Sequence, residues 1–213
     1  MIATVNLLLG LAMGLNLLAL GSSRLPSVIR SVAAQGVVLG LLPFFVESSF
    51  DWVVALVAML TIAVKGFVIP NLLLRAMRSA HVDREVEPII GFVASLLLGT
   101  VGTVAAVAVM PLLPLLSEHT ESLLIPGAGA SIFTGFILMI GRVKAVSQVC
   151  GYLILENGIY VFGLLLIRAT PLLVESGILL DLTVGVFVIG IIVDRIQRAF
   201  DSLDTRKLTI LRE

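Results

Sequence analysis

Apolar runs of about 20 residues recur along this 213-residue chain, and they leave it few folds to adopt. A run of that length, coiled as a helix, matches the hydrocarbon thickness of a bilayer. Lipid offers no water to satisfy backbone N–H and C=O groups, so only helices or a closed barrel can span it. The runs are continuous rather than alternating, which selects helices. Composition agrees: 59% of the residues are hydrophobic and 13% are charged, about half the charge share of a soluble domain. The expected fold class is all-α, a polytopic transmembrane helix bundle of about seven spans.

The spans read as Met1–Gly21, Ser27–Val46, Trp52–Leu74, Pro88–Leu116, Leu123–Gly141, Ser147–Ile167 and Pro171–Val193, followed by a polar tail. No Lys or Arg precedes the first run, so the charged start of a cleavable signal peptide is missing and a retained helix is expected. Gly10 and Gly14 in that helix have a spacing suited to close helix contact. Pro70 should kink the third span and free a carbonyl near Gly66. Arg75–Glu87 reads as a polar loop, and the Gly-, Ala- and Val-rich fourth span as a helix packed against neighbours. Placing the N-terminus outside and the C-terminus in the cytoplasm puts all 14 basic residues except Lys65 and Arg168 on the inner side, with Arg142 and Lys144 closing the fifth span there. Such a bias is the usual determinant of topology. The chain is therefore expected to be a multi-pass protein of a bacterial or archaeal cytoplasmic (inner) membrane, in contact with lipid and not with nucleic acid.

Four polar side chains fall inside these runs. Glu156 is 14 residues from Arg142 and 12 from Arg168; Asp181 is 10 residues past Pro171 in an antiparallel span, so the two acids lie at similar depth. Lys65 is 10 residues from Arg75 and 14 from Asp51, roughly 15–20 Å from either end, farther than its stem can reach by snorkelling alone. Gln35 is a lone amide in the second span. A charge at mid-membrane costs about 2.5–3.5 kcal/mol on the insertion scale, so such residues commonly mark ion or proton pathways. A low dielectric disfavours the ionised carboxyl and a nearby cation favours it, which suits proton exchange near neutral pH. Glu156, Asp181, Lys65 and Gln35 are the candidate proton or ion path. Structural ion pairing of Lys65, packing roles for the acids, and a simple interhelical hydrogen bond for Gln35 stay open.

Other chemistry finds little support. Cys150 is the single cysteine, so no intrachain disulfide or thiolate cluster can form. His81 and His119 fall on opposite sides of the expected topology. No nucleophile elbow, phosphate-binding glycine loop or metal-ligand cluster occurs, so no catalytic residue, cofactor or metal site is expected in this chain.

The motifs LILENGIY around Glu156, DLTVGVFV from Asp181 and FDSLD after the last span carry a resemblance. From Ser131 onward the chain is similar to the K subunit of bacterial complex I and the C subunit of Mrp-type cation/proton antiporters. Glu156 matches the first acidic position of those three-helix subunits, and Asp181 the second, with aspartate where the complex I subunit has glutamate. The whole chain resembles hydrogenase-4 component E. This resemblance implies a four-helix extension over residues 1–120, a K-subunit-like unit over 121–198 and a cytoplasmic tail over 199–213. Gln35 and Lys65 would then echo Glu156 and Asp181 as a degenerate repeat. It further implies a non-catalytic membrane subunit of a formate hydrogenlyase-type, group 4 nickel–iron hydrogenase complex. Its partners would be antiporter-like membrane subunits, a quinone-site-like anchoring subunit and peripheral hydrogenase subunits, which would carry the nickel–iron centre and iron–sulfur clusters. An Mrp-type antiporter subunit and a purely structural scaffold are the alternatives.

Overall fold

The computed structural model describes residues 2–46, 52–79, 84, 88–109 and 122–166, and among these the regular elements are helices, with no strand. The helices are α1 (Ile2–Gly21), α2 (Leu25–Gly40), the one-turn α3 (Pro43–Val46), α4 (Trp52–Ala63), α5 (Ile69–Ser79), α6 (Phe92–Val109), α7 (Leu124–Gly141) and α8 (Ala145–Leu166). A π-helical turn, Val64–Val68, joins α4 to α5 without a break. Six helical segments of 18 to 22 residues are long and apolar enough to cross a membrane. They correspond to the first six expected spans; the seventh, Pro171–Val193, lies outside the described residues.

Local chemistry explains the interruptions. Pro43 has no N–H to donate, so α2 ends in 3₁₀-like bonds, Leu41 N–H to Val38 O at 3.3 Å and Leu42 N–H to Leu39 O at 3.0 Å. Pro70 likewise removes a donor from the turn before it, where the structure widens to π geometry and Ile69 N–H reaches back to Val64 O. The kink expected near Gly66 is thus a wide turn with Lys65 in it.

Each inner helix buries one face. On α1 these positions are Val5, Leu9, Ala12, Asn16 and Ala19; on α2 they include Val28, Val32, Gln35 and Leu39. Steps alternating between three and four residues keep them on one side. They build two apolar clusters. One unites Leu20, Leu25, Ile29, Ile69, Leu73, Leu138 and Ile154; the other unites Val5, Leu9, Leu39, Leu124, Ala128 and Val161. Both draw on helices from before and after residue 120.

α7 and α8 touch backbone to backbone. A Cβ added at Gly151 would stand 2.8 Å from Met139 N and 2.9 Å from Gly135 O; one at Gly158 would stand 2.7 Å from Ile132 N. Small residues are what allow membrane helices this approach. Gly10 and Gly14, expected to do the same in α1, have no atom near where a Cβ would be. They lie off the face that carries Leu9, Ala12 and Asn16.

Two further expectations, on Arg75 with Arg78 and on Arg142, are corrected. α5 continues to Ser79, so Arg75 and Arg78 end a helix rather than open a loop. α6 packs against neighbours as expected, along one narrow seam that sets Gly99 against Leu20 and Gly102 against Phe133, while its valines face outward. Arg142, read as a charge at the inner surface, is 2% exposed. Its Nη2 donates to Leu20 O at 2.7 Å and its Nη1 to Ile90 O at 2.8 Å, over the Phe92 ring. It thereby ties the end of α7 to the end of α1 and the start of α6. An extended pairing of Arg24 with Arg84 lies at this same end, so the described basic residues other than Lys65 gather there.

Gly151→Leu should force α7 and α8 apart and cost at least about 2 kcal/mol, whereas Gly10→Leu should stay within about 0.5 kcal/mol, because only the first introduces overpacking. Thermal unfolding of the two variants in detergent checks this.

Candidate functional site

Between the two apolar clusters lies a polar layer. Asn16 sits between Ala12 and Ala19 on the buried face of α1, and Gln35 between Val32 and Leu39 on that of α2. Ser131 of α7 is 1% exposed and Asn157 of α8 is 3% exposed. Lys65, on the π turn, completes the layer from the side.

Lys65 enters because α2 lets it. A Cβ at Gly36 would stand 2.9 Å from Lys65 Cβ, so only glycine leaves room for the lysine stem to cross at that height. The ammonium Nζ then lies 3.3 Å from Glu156 Oε1, donates to Asn157 Oδ1 at 3.1 Å, and sits 5.7 Å from the Tyr160 ring centroid. These three described neighbours are all on α8. The side chains of Lys65 and Glu156 are 9% and 11% exposed. Two charges at such depth are tolerable only as a hydrogen-bonded pair, since the penalty for an isolated buried ion is several kcal/mol.

From Asn157 the polar contacts run on across the bundle. Asn157 Nδ2 donates to Gln35 Oε1 at 3.2 Å, Gln35 Nε2 to Asn16 Oδ1 at 2.7 Å, and Asn16 Nδ2 to Ser131 Oγ at 3.0 Å. Gln35 Nε2 also reaches Ser131 Oγ at 3.3 Å. Two buried oxygens stand apart: Glu156 Oε2 and Thr134 Oγ1 have no hydrogen-bond partner among the described residues.

The structure therefore brings Gln35, Lys65 and Glu156 into one network, although they are far apart in sequence. Asp181 lies outside the described residues. Asn16, Ser131, Asn157 and Tyr160 join the site without having been singled out. Their signal was present: Cys150, Ile154, Asn157, Val161 and Leu164 repeat the alternating four- and three-residue step, with one amide replacing an apolar residue. Asn16 replaces one in the same way in α1. The described residues hold no group of His, Cys, Asp and Glu that could bind a metal.

Over 192 residues the chain is 31% identical to the uncharacterized protein Rv0085 of Mycobacterium tuberculosis, covering 89% of this chain and 87% of that one. The chain belongs to the Rv0085 family. A shorter match relates it to hydrogenase-4 component E of Escherichia coli K12 and of Shigella flexneri, 32% identical over 78 residues. That match takes in 37% of this chain and 36% of the relative, so the whole-chain resemblance to hydrogenase-4 component E is narrowed to a distant, partial one. No family model matches the chain, and no solved structure does. Six bilayer-length apolar helices among the described residues fit a multi-pass membrane protein.

Removing one member of the charge pair should hurt more than removing both. Lys65→Met strands Glu156 and should cost about 3–5 kcal/mol. The double variant Lys65→Met with Glu156→Gln should recover part of that loss, because residues in contact do not add. Equilibrium unfolding of the three variants in micelles decides it; strictly additive losses would show that the pair is not coupled.

Proposed function

We propose that the chain is a non-catalytic membrane subunit of an energy-converting group 4 nickel–iron hydrogenase complex, and that Lys65 and Glu156 take part in moving protons or ions through it. The observation that carries the reading is the buried pair of Lys65 and Glu156, with Glu156 Oε2 left without a hydrogen-bond partner among the described residues. That oxygen can accept a proton while Oε1 keeps the ammonium. The carboxylate becomes a neutral carboxyl on loading and returns to a carboxylate on release, so one proton enters and leaves with no other bond changed. A group that switches charge beside a fixed cation suits an exchange site inside a bundle. The partial likeness to hydrogenase-4 component E supplies the complex.

Under this proposal Asp181 extends the path along the last span. The redox chemistry and its metal centres reside on partner chains: antiporter-like subunits, a quinone-site-like anchoring subunit and peripheral hydrogenase subunits. The membrane is the cytoplasmic one, with the basic end of the bundle facing inward. A scaffold role is the second reading, supported by how much of the polar layer is internally hydrogen-bonded.

Glu156→Gln separates the two. Ion movement coupled to hydrogen formation should fall about tenfold or more, the order of effect seen on deleting a proton-transfer group, while the complex still assembles and co-purifies with a nickel–iron large subunit. Flux in inverted vesicles and subunit composition after mild solubilisation are the measurements. Unchanged flux, or loss of flux only through loss of assembly, favours the scaffold.

A further inference from the structure

The hydrogen bonds described from Lys65 through Asn157, Gln35 and Asn16 to Ser131 all point the same way. Lys65 can only donate, because an ammonium has no acceptor. Asn157 must therefore turn its carbonyl oxygen to Lys65, which leaves its NH₂ to donate to Gln35 Oε1. Gln35 is then forced to donate to Asn16, and Asn16 to Ser131. Ser131 Oγ accepts from both Asn16 and Gln35. Three side-chain amides on α8, α2 and α1 thus present their negative ends toward one charge. An amide does not readily hand on a proton, so this row is poorly built to conduct. Aligned dipoles in a low-dielectric setting do, however, stabilise the charge they face and strengthen one another.

We infer that Asn157, Gln35, Asn16 and Ser131 form a one-way dipolar row that holds the positive charge on Lys65, so that Glu156 is the member of the pair whose proton comes and goes. This rests on the reading of the pair as a proton-exchange site and assigns the amides a positioning role within it. Among the described residues, the titratable groups facing Lys65 include Glu156 and Tyr160, both on α8. α2 and α1 contribute Gln35, Gly36 and Asn16, and α7 contributes Ser131, none of which titrates. Because each amide's orientation is set by its neighbour, the row can reverse only as a unit.

The test is infrared difference spectroscopy of the full-length protein in lipid vesicles, taken between two pH values. The carboxyl band that disappears in Glu156→Gln identifies Glu156. Gln35→Met keeps the length of the side chain and cuts the row after Asn157; with the charge on Lys65 less well supported, the neutral-carboxyl share of Glu156 should rise at least about threefold. Ser131→Ala, at the far end and easily accommodated, should shift it in the same sense by less. A row that merely packs the helices would lower the unfolding temperature in both variants and leave the band where it was, which overturns the inference. If Gln35→Met fails to fold, an unmoved band in Ser131→Ala overturns it alone. The outcome is independent of the flux assay: a moved band with normal flux in Glu156→Gln would retain the dipolar row and discard the transport role.

Discussion

A lysine and a glutamate meeting 3.3 Å apart in the middle of an apolar bundle set the terms for the rest of this molecule. Neither can be left alone there. The low dielectric that makes each charge costly also makes their mutual attraction strong, and the remaining N–H groups of the ammonium must be satisfied within the bundle. The polar residues of α1, α2, α7 and α8 follow from that need. Asn157 answers Lys65, Gln35 answers Asn157, and the sequence of amides ends at a hydroxyl on α7. One charge pair thus dictates a polar position on each of the inner helices, at the one height where the apolar clusters part.

The same bundle handles another cation differently. Arg142 is buried, and its described contacts include two main-chain carbonyls and an aromatic face. The carbonyls at the end of a helix carry partial negative charge and lack intrahelical donors. Leu20 O, near the end of α1, is such a group. Arg142 therefore satisfies a helix end while fixing three helices together, a static task suited to a guanidinium that never deprotonates. Lys65 has a carboxylate partner whose second oxygen has no hydrogen-bond partner among the described residues, the arrangement that the proposed exchange site requires.

Much of this was legible in the sequence, for reasons that differ from residue to residue. Bilayer-length runs are a composition signal and translate directly into helices. Lys65, Glu156 and Gln35 stood out because polar groups are rare in such runs, and rarity alone marked them. Their meeting was not legible, since nothing in the order of residues says that α2 and the turn after α4 lie against α8. Asn16 and Ser131 were passed over because small polar residues are common in membrane helices; only their phase on the buried face distinguishes them. Gly10 and Gly14 misled for the converse reason: the spacing of two glycines was read without asking which face they occupy. Arg142 misled because a basic residue at the end of a run ordinarily faces water, and its burial depends on carbonyls supplied by Leu20 of α1 and by Ile90 just before α6.

The position of Lys65 shows how backbone and charge are joined. A lysine on a regular helix would have its Cβ held at the distance that side chains of neighbouring helices impose. Here Gly36 removes the opposing side chain, and the wide turn ahead of Pro70 changes the angle at which residue 65 leaves the helix. Each device weakens its own helix: glycine lowers helix stability by about 0.5–1 kcal/mol relative to alanine, and a π turn interrupts the regular ladder of bonds. Packing alone would be served better by alanine and an unbroken α-helix. That two such concessions coincide at the one basic residue in the interior of the layer is the strongest structural argument that the placement of Lys65, rather than the compactness of the bundle, is what this part of the chain is built to achieve.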